Sequence, residues 1–295
     1  MRPMEICPEC RDCLTRLVEL TVAQATPDPE LQQPARRAAL DIIAREFNPA
    51  AIPAGIANHC HHVIMAITGT PDPFAARKAA ATAYLGRRFQ GVAAAYDGDL
   101  ESLLRLAAAG NAVDFFREEA EVTRELTSRV EFGLSELDHF RRRLQGPAGL
   151  LLYLADNAGE QFFDYPLVAH LRRLGWQVLY VVKGGPIQND LTREDLYASG
   201  LGAKLSPLAD TGARTVGLEL TKASRAFQEL FAAARIILAK GMGHFETMSQ
   251  LPDPRLYFLL QAKCRPVARA LGVEPGAFGF CRTPAISLDS AGCTG

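Results

Sequence analysis

The stretch Leu150-Leu-Leu-Tyr-Leu-Ala155, running straight into Asp156-Asn157-Ala-Gly-Glu160, decides the fold. An apolar run of this kind reads as a buried strand, and the polar residues and glycine after it read as a turn into a helix. The arrangement recurs twice. Trp176-Gln-Val-Leu-Tyr-Val-Val182 leads into Gly184-Gly-Pro-Ile-Gln-Asn189-Asp190, and Arg235-Ile-Ile-Leu-Ala239 leads into Lys240-Gly-Met-Gly-His-Phe-Glu246. Open parallel α/β sheets bind ligands outside the carboxyl ends of their strands. Three strands ending this way therefore predict one cleft that collects two carboxylates, an amide and a lysine. Hard oxygen ligands beside a cation point to a divalent metal and a phosphate.

Working outward, helical spacing over Gln161 to Leu174, Leu191 to Ala198 and Val216 to Ala234 alternates with these strands, and Gly175 and Gly200 close the first two helices. The alternation predicts an α/β fold, a three-layer α/β/α arrangement around a mostly parallel sheet. Toward the end, Leu256 to Lys263 reads as helical, Pro266 to Leu271 as a further strand, and Ser287 to Gly295 as a loose tail. Before Gly146 the pattern is helical with turn breaks at Pro27-Asp-Pro29, Asn48-Pro, Ile52-Pro-Ala-Gly55 and Thr68-Gly-Thr-Pro-Asp-Pro73. Leu100 to Ala109 and Phe115 to Arg129 keep helical spacing, and no alternating run is evident. The division is a helical N-terminal subdomain over residues 1–145 and an α/β metal- and phosphate-binding domain over 146–295.

Composition narrows the function. The 32 basic and 33 acidic residues nearly cancel, so no global field recruits nucleic acid or an acidic membrane and any anion site is built locally. No apolar run reaches the length of a membrane span, and Met1 to Pro8 lacks the apolar core of a signal peptide, which makes a cytoplasmic location the expectation. Seven cysteines, an odd number, fit reduced thiols better than a disulfide framework. Cys7, Cys10 and Cys13 form a C-x-x-C-x-x-C cluster, a candidate second metal site whose fourth ligand would come through the fold from Cys60 or from His59, His61 or His62.

Each candidate site residue has a plainer reading beside it. Asp156, Asn157 and Asp190 are good helix caps, but a cap needs one such residue, and their repetition at successive strand ends favours metal ligation. Lys240 beside Gly241 and Gly243 supplies a point charge and an amide nest for phosphate, against the ordinary fate of a solvent-pointing lysine. Glu160 and Glu246 are candidate supporting or proton-transfer carboxylates, or simply helix-start acids. Asn111 and Asp114 sit in a break of the helical half that reaches over the cleft or merely caps a helix.

Together these motifs resemble the damage-control phosphatase family (domain of unknown function 89), in its prokaryotic branch with an N-terminal C-x-x-C. The resemblance runs from Cys7-Pro-Glu-Cys10 through Thr68-Gly-Thr-Pro-Asp-Pro73, Asn111, Asp156-Asn157, Asp190 and Asp210-Thr-Gly212 to Lys240-Gly-Met-Gly and Ala262-Lys-Cys264. It implies a helical subdomain packed on an α/β/α domain, and a divalent ion (Mn, Mg, Co or Ni) held by Asp156, Asn157 and Asp190. It also implies hydrolysis of small phosphorylated metabolites such as sugar phosphates, with Asp156, Asp190 and Lys240 in catalytic roles. Substrate binding would fall to Asn111, Asp114, Gly241, Gly243, His244 and Glu246. Two positions depart from the family pattern: His244 stands where asparagine is usual, and Lys183 where arginine is common. The nucleophile stays open between metal-bound water and an aspartyl-phosphate. The competing readings are a methyltransferase using S-adenosylmethionine, against which the first strand-to-helix turn carries no glycine-rich loop, and a metal-dependent binding protein without turnover.

Overall fold

The computed structural model describes residues 4–111 and 129–283. Three helices open the chain: α1 (Pro8–Ala25), α2 (Pro29–Glu46) and α3 (Pro53–Thr68). Each starts with proline in its first turn, where the missing N–H costs nothing and the fixed φ suits a helix. Asp28 also caps α2 by accepting the Glu30 N–H at 2.9 Å. Leu14, Val18, Val22, Ala39, Ile43 and Ile64 pack these helices into a small core of their own. Next, α4 (Ala75–Ala93) and α5 (Leu100–Gly110) contribute Leu85, Leu104 and Leu106 to the sheet's own core. The helical half is thus a three-helix bundle plus two helices that belong to the layer over the sheet.

Seven strands follow among the described residues. They are β1 (Phe132–Ser135), β2 (Leu150–Leu154), β3 (Gln177–Val182), β4 (Leu208–Asp210), β5 (Ile236–Lys240), β6 (Leu256–Gln261) and β7 (Phe278–Arg282). Between them lie α6 (Leu137–Gln145), α7 (Gln161–Arg173), α8 (Arg193–Ala198), α9 (Gly202–Leu205), α10 (Arg225–Ala233), α11 (Gly241–Met248) and α12 (Arg265–Leu271). The sheet order is β1-β7-β6-β5-β2-β3-β4, with parallel pairing except between β6 and β7. This is the α/β/α fold with a mostly parallel sheet that the strand-and-helix alternation predicts.

The sheet buries both faces. Leu151, Tyr153 and Leu238 face α5 and α7, while Leu152, Leu154 and Ile237 face the α10 and α11 side. Removing one such leucine to alanine would cost about 2–5 kcal/mol. The chain builds β3 and β4 to one side of β2 and then crosses to place β5 and β6 on the other. The strand order therefore reverses between β2 and β5, and the crevice at such a reversal, outside the strand ends, is where doubly wound sheets hold ligands.

Four local readings change. Leu256 to Gln261 is a strand and Arg265–Leu271 a helix, the reverse of expectation. Both faces of β6 are buried, so its apolar run shows neither helical nor strand periodicity. Val216 to Ala234 is helical only from Arg225, where the Ser224 hydroxyl accepts the Phe227 N–H. The sheet also takes its edge strand β1 from before Gly146, so it crosses the expected domain boundary. No helix among the described residues is long and apolar enough to cross a membrane.

Candidate active site

The β2-to-α7 turn carries Asp156 and Asn157 past the end of the sheet, and an isolated bridge between Asn157 and Asp190 brings the turn after β3 alongside. The Leu191 N–H donating to the Asp156 carbonyl at 2.8 Å fastens the two turns together. Gly241, first residue of α11, makes room for them. Its φ of +80° is one that residues with a Cβ rarely adopt, and a Cβ there would overlap the Asp156 carboxylate. A cavity of about 580 Å³ opens above, with Asn111, Asp156, Asn157, Asp190, Gly243 and Glu246 in its lining. The three expected metal ligands and three of the expected substrate contacts thus share one cleft. Asp114 lies outside the described residues.

An amide frame holds the carboxylates. The Asn111 side-chain amide donates to Asp156 Oδ2 at 2.9 Å and Glu160 Oε1 at 3.0 Å, and that of Asn157 donates to the same two oxygens at 2.8 and 2.7 Å. Asn189 donates to Asn157 Oδ1 at 2.6 Å, and Asn111 Oδ1 accepts the Gln261 N–H at 3.1 Å, tying the end of α5 to the end of β6. Behind this frame lies Asp164, fully buried, which accepts the hydroxyls of Tyr153 and Tyr180 at 2.7 Å each.

Lys240 takes a different place from the one expected. Its ammonium is fully buried behind the floor and donates to Ala107 O at 2.7 Å and Asp164 Oδ1 at 2.7 Å, with Glu160 Oε2 at 2.8 Å. Those acceptors use its three donors, so it neutralises the buried carboxylates and has none left for a phosphate in the cleft. Burial, which alone would lower its pKa, is outweighed by Asp164 and Glu160, and the group stays charged. Gly241 likewise serves as the space beside Asp156 and is absent from the cleft lining.

His244 is also displaced from the substrate role. It is buried, with Nδ1 at 2.6 Å from the Lys240 carbonyl and Nε2 at 3.1 Å from Lys183 Nζ. The carbonyl only accepts and the ammonium only donates, so Nδ1 carries the proton, Nε2 is the acceptor, and the ring is neutral. Burial first and Lys183 second hold its pKa well below the usual histidine range. Lys183 in turn donates to Gly217 O at 2.7 Å and stands 3.3 Å from Asp190 Oδ2.

Charge is the distinctive property of the site. Asp156, Glu160, Asp164 and Asp190 are buried with two ammonium groups, Lys183 and Lys240, so the buried acids of the site outnumber its buried cations by two. Burial, followed by repulsion from Glu160 and Asp190, pushes the Asp156 carboxyl well above its usual range. Asp190 is raised to about 6 by burial, against the pull of Lys183. A buried carboxylate whose Oδ2 meets only an ammonium at 3.3 Å, next to a second carboxylate and an amide, fits an oxygen-binding divalent cation. Among the described residues no three His, Cys, Asp or Glu side chains are grouped to hold a metal, so the two carboxylates would need the amide oxygen of Asn157 to complete a protein set of three.

Sequence reasoning passed over Lys263 and Asp164 as site residues. Lys263 lines the cleft two residues beyond β6 and its charge counteracts the rise of Asp156, while Asp164 is legible in hindsight from two strand tyrosines that need a buried acceptor. Cys10 and Cys13 line the cleft's outer wall. Cys60 is not among their neighbours in that lining; its thiol donates to Ala39 O at 3.4 Å. His61 is buried against Phe74, and His62 Nε2 meets Arg214 O at 2.7 Å.

Fold and cleft define the class: a doubly wound α/β protein with a carboxylate-rich site at its switch point. The chain belongs to the family of the damage-control phosphatase ARMT1-like domain, whose model matches residues 6–277. It is 36% identical over 282 residues to damage-control phosphatase PH1575 of Pyrococcus horikoshii, covering 93% of this chain and 96% of the relative. It is 29% identical to a damage-control phosphatase of Archaeoglobus fulgidus over 281 residues, covering 92% and 97%. The crystal structure of a DUF89 family protein, PH1575 from Pyrococcus horikoshii, superposes with a TM-score of 0.85 at 34% identity, covering 95% of this chain and 100% of that one. Family membership supports phosphatase activity on damaged metabolites.

Proposed function

We propose that the chain is a metal-dependent phosphatase that hydrolyses phosphate monoesters of small metabolites. The observation that carries this reading is the set of four buried acids around Asp156 and Asp190, with only Lys183 and Lys240 buried among them. Asp156, Asp190 and the Asn157 amide oxygen would hold a divalent ion of the Mn, Mg, Co or Ni class. Such an ion supplies charge neutralisation at the phosphoryl oxygens and lowers the pKa of water. Asn111 and Asn157 orient the Asp156 carboxylate, and the Lys183 ammonium keeps Asp190 ionised. Lys263, Met242 and Gly243 line the cleft, and the lysine and the amides at the start of α11 would meet a phosphate bound there. Glu246, raised to about 7 by burial and accepting the Ala54 N–H at 3.0 Å, lines the cleft and would serve proton transfer there.

The test is Asp190→Ala. Manganese binding by calorimetry should weaken at least tenfold, and phosphate release from a panel of sugar phosphates should disappear, while circular dichroism stays unchanged. Undiminished manganese affinity in the variant would remove Asp190 from the site. Manganese binding by the wild type without phosphate release from any ester would favour the non-catalytic reading.

A further inference from the structure

The cysteine cluster divides differently from its spacing. Cys7 is the N-cap of α1 and Cys10 lies one turn on, its N–H donating to the Cys7 carbonyl at 2.9 Å. Their sulfurs are 3.9 Å apart. Pro8 fixes the first helical position between them. Cys10 is buried while Cys7 is half-buried, so an outer and an inner thiol lie in contact at the start of an 18-residue helix. Cys7 makes no side-chain cap hydrogen bond, so its sulfur is not committed to the backbone.

We propose that Cys7 and Cys10 are a redox-active dithiol at the rim of the cleft, one that exchanges with small-molecule disulfides and closes into an intramolecular bridge. The outer Cys7 thiolate attacks one sulfur of the incoming disulfide and expels the first thiol, giving a mixed disulfide on Cys7. Cys10, losing its proton, then attacks the Cys7 sulfur and expels the second thiol. One small-molecule disulfide is reduced to two thiols, the two protein thiols are oxidised to one disulfide, and both their protons leave on the products. The sulfurs must approach by roughly 2 Å to reach bonding distance, which side-chain rotation supplies at this spacing. Burial pushes the Cys10 thiol up to about 12, consistent with Cys7 as the attacking group and Cys10 as the resolving one. Because Cys10 lines the cleft, closure reshapes the wall facing Asp156.

The inference stands apart from the phosphatase reading and is tested without an activity assay. Full-length protein is equilibrated with mixtures of reduced and oxidised glutathione, alkylated under denaturing conditions and mapped by mass spectrometry. The expected result is loss of two alkylatable thiols, with the bridge in the peptide that contains Cys7 and Cys10. Cys10→Ser should stop at a glutathione adduct on Cys7, and Cys7→Ser should leave Cys10 unmodified, both with wild-type circular dichroism. Three outcomes would overturn the proposal: a pair that stays reduced in oxidised glutathione, a bridge mapped instead between Cys13 and Cys264, or one equivalent of zinc in the isolated protein whose removal is needed before any oxidation.

Discussion

Lys240→Met removes one ammonium from the most enclosed part of the molecule, and the structure says what is left behind. Glu160 loses an ion pair at 2.8 Å and Asp164 one at 2.7 Å, both in positions closed to water. Each keeps neutral donors: Asn111 and Asn157 at Glu160, Tyr153 and Tyr180 at Asp164. Truncating one partner of a buried ion pair costs about 3–5 kcal/mol, and those remaining donors argue against a sum of two full penalties. Urea unfolding followed by circular dichroism at pH 7 should therefore show a loss of about 3–5 kcal/mol, equivalent to roughly 10 °C in Tm. The sign with pH follows from Glu160, whose burial would raise its pKa but whose pairing with Lys240 brings it below the usual value. A depressed carboxylate stabilises the fold above its unfolded pKa and loses that contribution as pH falls through its folded pKa, so the difference between wild type and variant should shrink on acidification. A loss below about 1 kcal/mol together with collapse of kcat/KM would refute the reasoning and return Lys240 to the phosphate.

Two further outcomes follow from the same geometry. Glu246 has a folded pKa raised from 4.5 to about 7 by burial, so it favours the fold fully below pH 4.5 and costs stability as pH climbs toward 7; thermal melts of Glu246→Gln should gain on wild type across that window, and parallel melting curves would show that the carboxyl is hydrated. Gly241→Ala places a Cβ against the Asp156 carboxylate in a left-handed backbone, and should lose about 2 kcal/mol or more in urea and weaken manganese binding in calorimetry.

The sheet was legible wherever a buried strand ran into a polar turn, as at Asp156, Asp190 and Lys240, because that junction changes composition abruptly. It was illegible at β6, where burial on both faces erases periodicity, at α12, whose seven residues expose only Arg265 and Arg269, and at β1, whose four residues are too few to set a pattern. The floor of the cleft followed from strand-end chemistry. What failed was depth: a lysine after a strand has a long stem, and nothing in Lys240-Gly-Met-Gly says whether its ammonium rises into the cleft or descends between α5 and α7 to Ala107 and Asp164. Lys263 and Asp164 stayed hidden because their roles depend on which strands become neighbours.

The contact of His244 with Lys183 changes how the two departures from the family pattern are to be read. Far apart in the chain, they meet at 3.1 Å, the imidazole accepting from the ammonium. Where arginine is common the chain has a lysine, which lacks a planar fork and offers its protons from one nitrogen; where asparagine is usual it has a bulkier ring that reaches that nitrogen. Neither departure is independent. A substitution at one position removes a hydrogen-bond partner of the other, and grafting either residue singly into a relative would strand its partner.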